Sequence, residues 1–127
     1  NKMPFTRSYN EGRGMRPETL EALWGSIKKW QRIVRRTSAV DSGIRNCPLC
    51  TMFYEANCES CPVRHATGQV HCYGSPYDEW IGHRFQCQSS IYHYRTPGCK
   101  ECLRLARAEL AFLMGLLPDK DKKQSHV

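Results

Sequence analysis

The chain has 127 residues, eight cysteines and a formal net charge of +7. A chain of that length fits one domain with a modest core, and a bound metal would relieve part of its folding burden. No apolar run is long enough to span a bilayer and none opens the sequence as a secretory leader would, so no membrane partner is expected.

The charge is uneven. Residues 1–45 carry ten Lys and Arg against four Asp and Glu, a net +6, and the remainder is close to neutral. Such asymmetry points to an anionic partner for the N-terminal third, against the alternative of an ordinary hydrated face. Residues 1–15, with Arg7, Gly12, Arg13 and Gly14, read as extended or mobile. Pro17 then suits the first turn of a helix. Leu20, Leu23, Trp24, Ile27, Trp30, Ile33 and Val34 recur at helical spacing, which predicts an amphipathic helix to about Arg36. Glu18 and Glu21 sit near its positive end and Arg35 and Arg36 near its negative end, as the macrodipole favours. Its apolar stripe lies opposite Lys28, Lys29, Arg32, Arg35 and Arg36, and both Lys29 and Arg32 are expected in solvent. Gly25 in mid-helix costs about 1 kcal/mol against Ala and marks a candidate close contact.

Turn chemistry over 37–46 leads into the cysteines, which have few periodic cues around them. Cys47-Pro48-Leu49-Cys50 is followed by Cys58-Glu59-Ser60-Cys61-Pro62, and Cys72 comes eleven residues later. Two C-x-x-C pairs can surround one ion with four thiolates, the closed shell of structural zinc. Most of the eight cysteines sit in such pairs, which favours metal over disulfides. Zinc is preferred to an iron–sulfur cluster, because no compact ferredoxin-like run is present. The ligand set is Cys47, Cys50, Cys58 and Cys61, or one with Cys72 replacing a member of the second pair. A second site from Cys72, Cys87, Cys99 and Cys102 is arithmetically open; otherwise these thiols are small buried hydrophobes.

Further on, Ser75-Pro76-Tyr77-Asp78-Glu79-Trp80 reads as a capped short helix. Residues 83–95 alternate weakly and read as strand or irregular chain. After Pro97-Gly98 a second amphipathic helix is expected from about Cys99 to Leu117, its stripe made by Cys102, Leu103, Ala106, Leu110, Leu113, Met114 and Leu117. Leu23, Ile27, Leu110 and Leu113 are the expected core. Pro118 ends the helix, and Asp119–Val127 is a polar tail. His65, His71, His83, His93 and His126 are candidate ligands or acid–base groups, with His71 beside Cys72 as a candidate replacement for a thiolate. No nuclease-type ββα arrangement can be assembled around them.

Trp30, Cys47-Pro48-Leu49-Cys50, Cys58-x-x-Cys61-Pro62-Val63, Thr67-Gly68, Cys72-x-Gly74-Ser75-Pro76-Tyr77 and a last helix ending in Leu116-Leu117-Pro118 occur in succession. This pattern resembles short cysteine-rich zinc-binding proteins encoded by bacteriophages and some prokaryotes. The resemblance covers roughly residues 20–118. It implies a phage or prokaryotic origin, a cytoplasmic setting (that of the host cell for a phage), and a place for Cys72 beside the four-cysteine block. It implies no activity.

These features together predict a small, mainly α, metal-stabilised fold: a single domain over 1–118, with two amphipathic helices around an irregular zinc-binding middle. The metal ligands are expected among Cys47, Cys50, Cys58, Cys61 and Cys72. The expected function is non-enzymatic binding of nucleic acid through Lys28, Lys29, Arg32, Arg35 and Arg36. The alternative is a protein-binding modulator of a host enzyme or defence system that meets an acidic surface, and a metal-dependent nuclease comes third.

Overall fold

A computed structural model describes residues 15–35, 41, 46–54, 59–69, 72–87 and 99–121. They form α1 (Pro17–Arg35), α2 (Pro48–Phe53), α3 (Pro62–Thr67), α4 (Pro76–Gln86) and α5 (Lys100–Gly115). The mainly helical class is as expected, but the described residues hold five helices rather than two. The three additional helices occupy the middle read as irregular; α4 is the capped short helix expected at 75–80, and α2 and α3 are the unexpected ones. Each of the three begins where proline follows a capping residue: Cys47-Pro48, Cys61-Pro62 and Ser75-Pro76. Proline presets the helical φ and lacks only an N–H that has no partner in the first turn. α2 and α3 span six residues each, too short to show a period.

α4 starts as its capping pattern predicts, with Ser75 Oγ accepting from the Tyr77 amide at 3.2 Å. It then continues through 83–86, where a strand or irregular chain was expected, because a well-capped start lets i to i+4 bonding outrun a weak alternation. The rest of that segment, 88–95, lies outside the described residues. So do 1–14, Arg36, Cys58 and the end of the tail, 122–127. The start of the tail is a short turn rather than free chain, with the Asp121 amide bonded to the Pro118 carbonyl at 2.8 Å.

Helix α5 packs against both α1 and α4, and α1 also packs against α2. Leu23, Ile27, Trp30 and Ile33 of α1 are buried against Cys102, Leu105, Ala106 and Leu113 of α5 and Trp80 of α4. Trp30 stands edge-on to Trp80 at 5.1 Å between ring centroids and to Tyr77 at 6.0 Å. The α1 stripe is therefore as read, and so are Ile27 and Leu113. Leu110 is only half-buried, together with Leu103 and Met114. The buried side of α5 is turned toward Leu105 and Glu109, because this helix faces two neighbours at once.

Lys29 departs from expectation. Its ammonium is not in solvent: Nζ lies 2.8 Å from Asp41 Oδ1, with the two side chains 9% and 1% exposed. Asp41 also accepts from Trp80 Nε1 at 2.9 Å and from the Tyr77 hydroxyl at 3.4 Å. Three donors from two helices thus share one buried carboxylate. A buried pair adds little net stability, but removing one partner strands the other charge.

Gly25 is where α1 meets the start of α2. A Cβ there would lie 2.9 Å from Pro48 Cγ. The glycine that weakens α1 locally is what lets the two helices touch.

Two outcomes follow. Asp41→Asn should destabilise the fold by about 3–5 kcal/mol, measured by urea unfolding. Gly25→Ala should lower the melting temperature, because overpacking against Pro48, about 1–3 kcal/mol, outweighs a propensity gain of about 1 kcal/mol; a higher melting temperature would show that Pro48 yields freely.

Candidate metal centre

His83 and Cys87 lie four residues apart at the end of α4, so they project from one side of the helix. The Cys87 amide donates to the His83 carbonyl at 2.9 Å, which closes the last turn around them. Cys99 caps α5, and its Sγ accepts from the Cys102 amide at 3.4 Å. Cys102, three residues on, turns its sulfur to the same side, where it is fully buried. The end of one helix and the start of the next thus present four ligand atoms to one point.

Those atoms all lie within 4.8 Å of one another. Cys87 Sγ and Cys99 Sγ are 3.6 Å apart, Cys99 and Cys102 3.6 Å, and Cys102 and Cys87 3.7 Å. His83 Nε2 is 3.3 Å from Cys99 Sγ. A metal–sulfur bond of about 2.3 Å gives a tetrahedron a sulfur–sulfur edge of about 3.8 Å. The triangle of sulfurs therefore already has nearly the size that a four-coordinate ion requires. The same spacings are far too long for disulfides, and none of the seven described cysteines is joined in a disulfide. His83, Cys87, Cys99 and Cys102 lie close enough to hold a metal ion.

The electrostatics suit a cation. The Cys102 amide pulls the Cys99 thiol down, yet burial and thiol bonds to Cys102 and Cys87 outweigh it and leave Cys99 titrating above its ordinary value. Three thiols that share protons around a triangle could exchange them for one ion at the centre. The N-terminus of α5 supplies a partial positive charge to the resulting thiolates.

The residues expected to ligate lie elsewhere. Cys47, Cys50, Cys61 and Cys72 line a separate cavity of about 340 Å³, and Cys58 is outside the described residues. Among the described residues this set does not draw three ligand atoms within 4.8 Å, as the α4–α5 group does. Cys47 repeats the Cys99 geometry: it caps α2, and its Sγ accepts from the Cys50 amide at 3.3 Å. The Cys50 thiol bond, its amide, Lys29 and Ser26 bring Cys47 down to about 6 against the opposing effect of burial. The same shared bond, with burial and the nearby sulfurs of Cys47, Cys72 and Cys61, pushes Cys50 up. Cys72, weighed as a partner for Cys87, Cys99 and Cys102, belongs to this cavity, and His83 stands in its place. The signal for His83 was in the sequence: a histidine four residues before a cysteine, followed by a further C-x-x-C.

Of the basic residues, Lys28, Arg32 and Arg35 are exposed on α1, Lys29 is withdrawn into its ion pair, and Arg36 is not described. Among the described residues no helix is long and apolar enough to cross a membrane.

Elemental analysis of the purified chain should find metal bound, and Cys102→Ser should reduce it by one ion per chain. Acid should release the ion as protons compete for the three sulfurs, and mildly alkaline pH should strengthen binding. A chain whose metal content is indifferent to Cys102→Ser would refute this centre.

No family model matches the chain, and no curated protein or solved structure matches it either, so geometry is the ground on which its function rests.

Proposed function

We propose that the protein is a zinc-stabilised, non-enzymatic binding module of phage or prokaryotic setting that contacts nucleic acid through the basic side of α1. Three sulfurs and one imidazole at tetrahedral spacing are the ligand set of structural zinc. Four protein ligands leave no open position for a substrate or an activated water, which supports a structural role for the ion.

One observation carries the nucleic-acid reading. Lys28, Arg32 and Arg35 are exposed on the side of α1 away from its buried stripe. They cover about 10 Å of helix at 1.5 Å per residue. Duplex DNA carries a charge about every 1.7 Å, so this stripe meets several phosphates. Contacts of this kind position a protein without reading sequence.

A partner protein is the second reading, and a groove between α1 and α2 favours it. Trp24, Pro48 and Met52 line the groove, and Met52 is 43% exposed.

Replacing Lys28, Arg32 and Arg35 together by Gln should weaken binding to many DNA sequences alike. It should flatten the salt slope by about 2.7 on duplex DNA, with the melting temperature unchanged. Lys29→Gln should do the reverse, lowering the melting temperature because it strands Asp41. Absence of a DNA or RNA shift by the wild-type chain at about 50 mM salt would remove the nucleic-acid reading and favour the groove.

A further inference from the structure

The four cysteines that line the second cavity are not used by the α4–α5 quartet. They come from three different places. Cys47 and Cys50 begin α2, Cys61 caps α3, and Cys72 lies in the turn before α4. Cysteines from these separate places line one cavity. Cys72 reaches it at a cost, since its φ of 65° makes it the one non-glycine residue with positive φ among the described residues. Glycine adopts that backbone freely, whereas a cysteine there is strained. The Cys72 carbonyl holds the turn by accepting from Ser75 Oγ at 2.7 Å and from the Ser75 amide at 3.2 Å.

An independent feature points into the same space. Glu109 of α5 lines the cavity and is 4% exposed, yet its Oε1 has no hydrogen-bond partner. A buried carboxylate oxygen without a donor is costly. A cation beside it removes that cost, and four sulfurs are the other groups at hand.

We propose that this cavity is a second metal site, separate from the α4–α5 quartet, in which Cys47, Cys50, Cys61 and Cys72 bind a thiophilic divalent ion and Glu109 supplies a carboxylate. The sulfurs are more widely spread than those of the quartet, so the ion draws them inward on binding. This site therefore exchanges its ion more readily than the quartet does. The inference does not depend on the nucleic-acid reading, and it adds to the quartet rather than replacing it.

Native mass spectrometry of the full chain with zinc should show two ions. Cys72→Gly removes one ligand while relieving the backbone, so it should stay folded, with a circular dichroism spectrum like that of the wild type, and carry one ion. Glu109→Gln keeps the shape of the side chain and should weaken the second ion at least tenfold in a chelator competition. In cobalt(II) titrations the wild type should show two successive sets of thiolate-to-cobalt bands, and Cys72→Gly one. A wild type with a single ion that persists in Cys72→Gly would overturn the proposal, as would two ions retained in that variant. A single ion that disappears in Cys72→Gly would instead leave the cavity as the ion site and overturn the quartet.

Discussion

The meeting of the end of α4 with the start of α5 at His83, Cys87, Cys99 and Cys102 is the constraint on which the candidate metal centre depends. It fixes the last turn of one helix to the first turn of the next across the eleven residues between Cys87 and Cys99. Bringing together residues that far apart in the chain costs entropy, which four ligand bonds to one ion, as proposed, would offset. Once its N-terminus is held, α5 has little freedom left. It lies against α4 on one side and α1 on the other, and Leu105, Ala106 and Leu113 meet Leu23, Ile27 and Trp30. In a chain of this size a metal held there would do what a larger apolar core otherwise does.

The chain builds its thiol sites by one local rule. Cysteine stands at the helix cap, its sulfur accepts the amide three residues later, and the second cysteine of the pair occupies that later position. Cys47 and Cys50 follow it at α2, and Cys99 and Cys102 follow it at α5. Cys61 caps α3 without such a bond. The rule fixes the direction of each pair but not its partners, which tertiary packing decides. Here α5 brings Cys99 and Cys102 to α4, while α1 lies over Cys47 through Gly25 and Ser26.

What the sequence disclosed follows the same division. Helix α1 was legible because its apolar period runs for about four turns, and the start of α4 because Ser75-Pro76 is a local signal. The stripe of α5 was legible only in part. Glu109 breaks the pattern where the helix is most buried, and no period reveals that a carboxylate lies inside. Lys29 was misplaced for a related reason: its partner Asp41 lies twelve residues away in a stretch of turn chemistry. His83 was visible as one of five histidines, and only the approach of α5 separates it from the rest. Local rules reveal elements and caps. Pairings between distant residues depend on packing that single-residue patterns do not carry.

The triangle of Cys87, Cys99 and Cys102 also has a consequence for oxidation. Three is an odd number, and a disulfide consumes thiols in pairs. With the proposed ion bound, an oxidant that expelled it would join two of these sulfurs and leave the third without a mate in its own site. That thiol, newly released from the metal, is the reactive one, free to attack another chain or to be oxidised further to sulfenic acid. Oxidation at this corner therefore ends in cross-linked or capped protein rather than in a neatly sealed monomer.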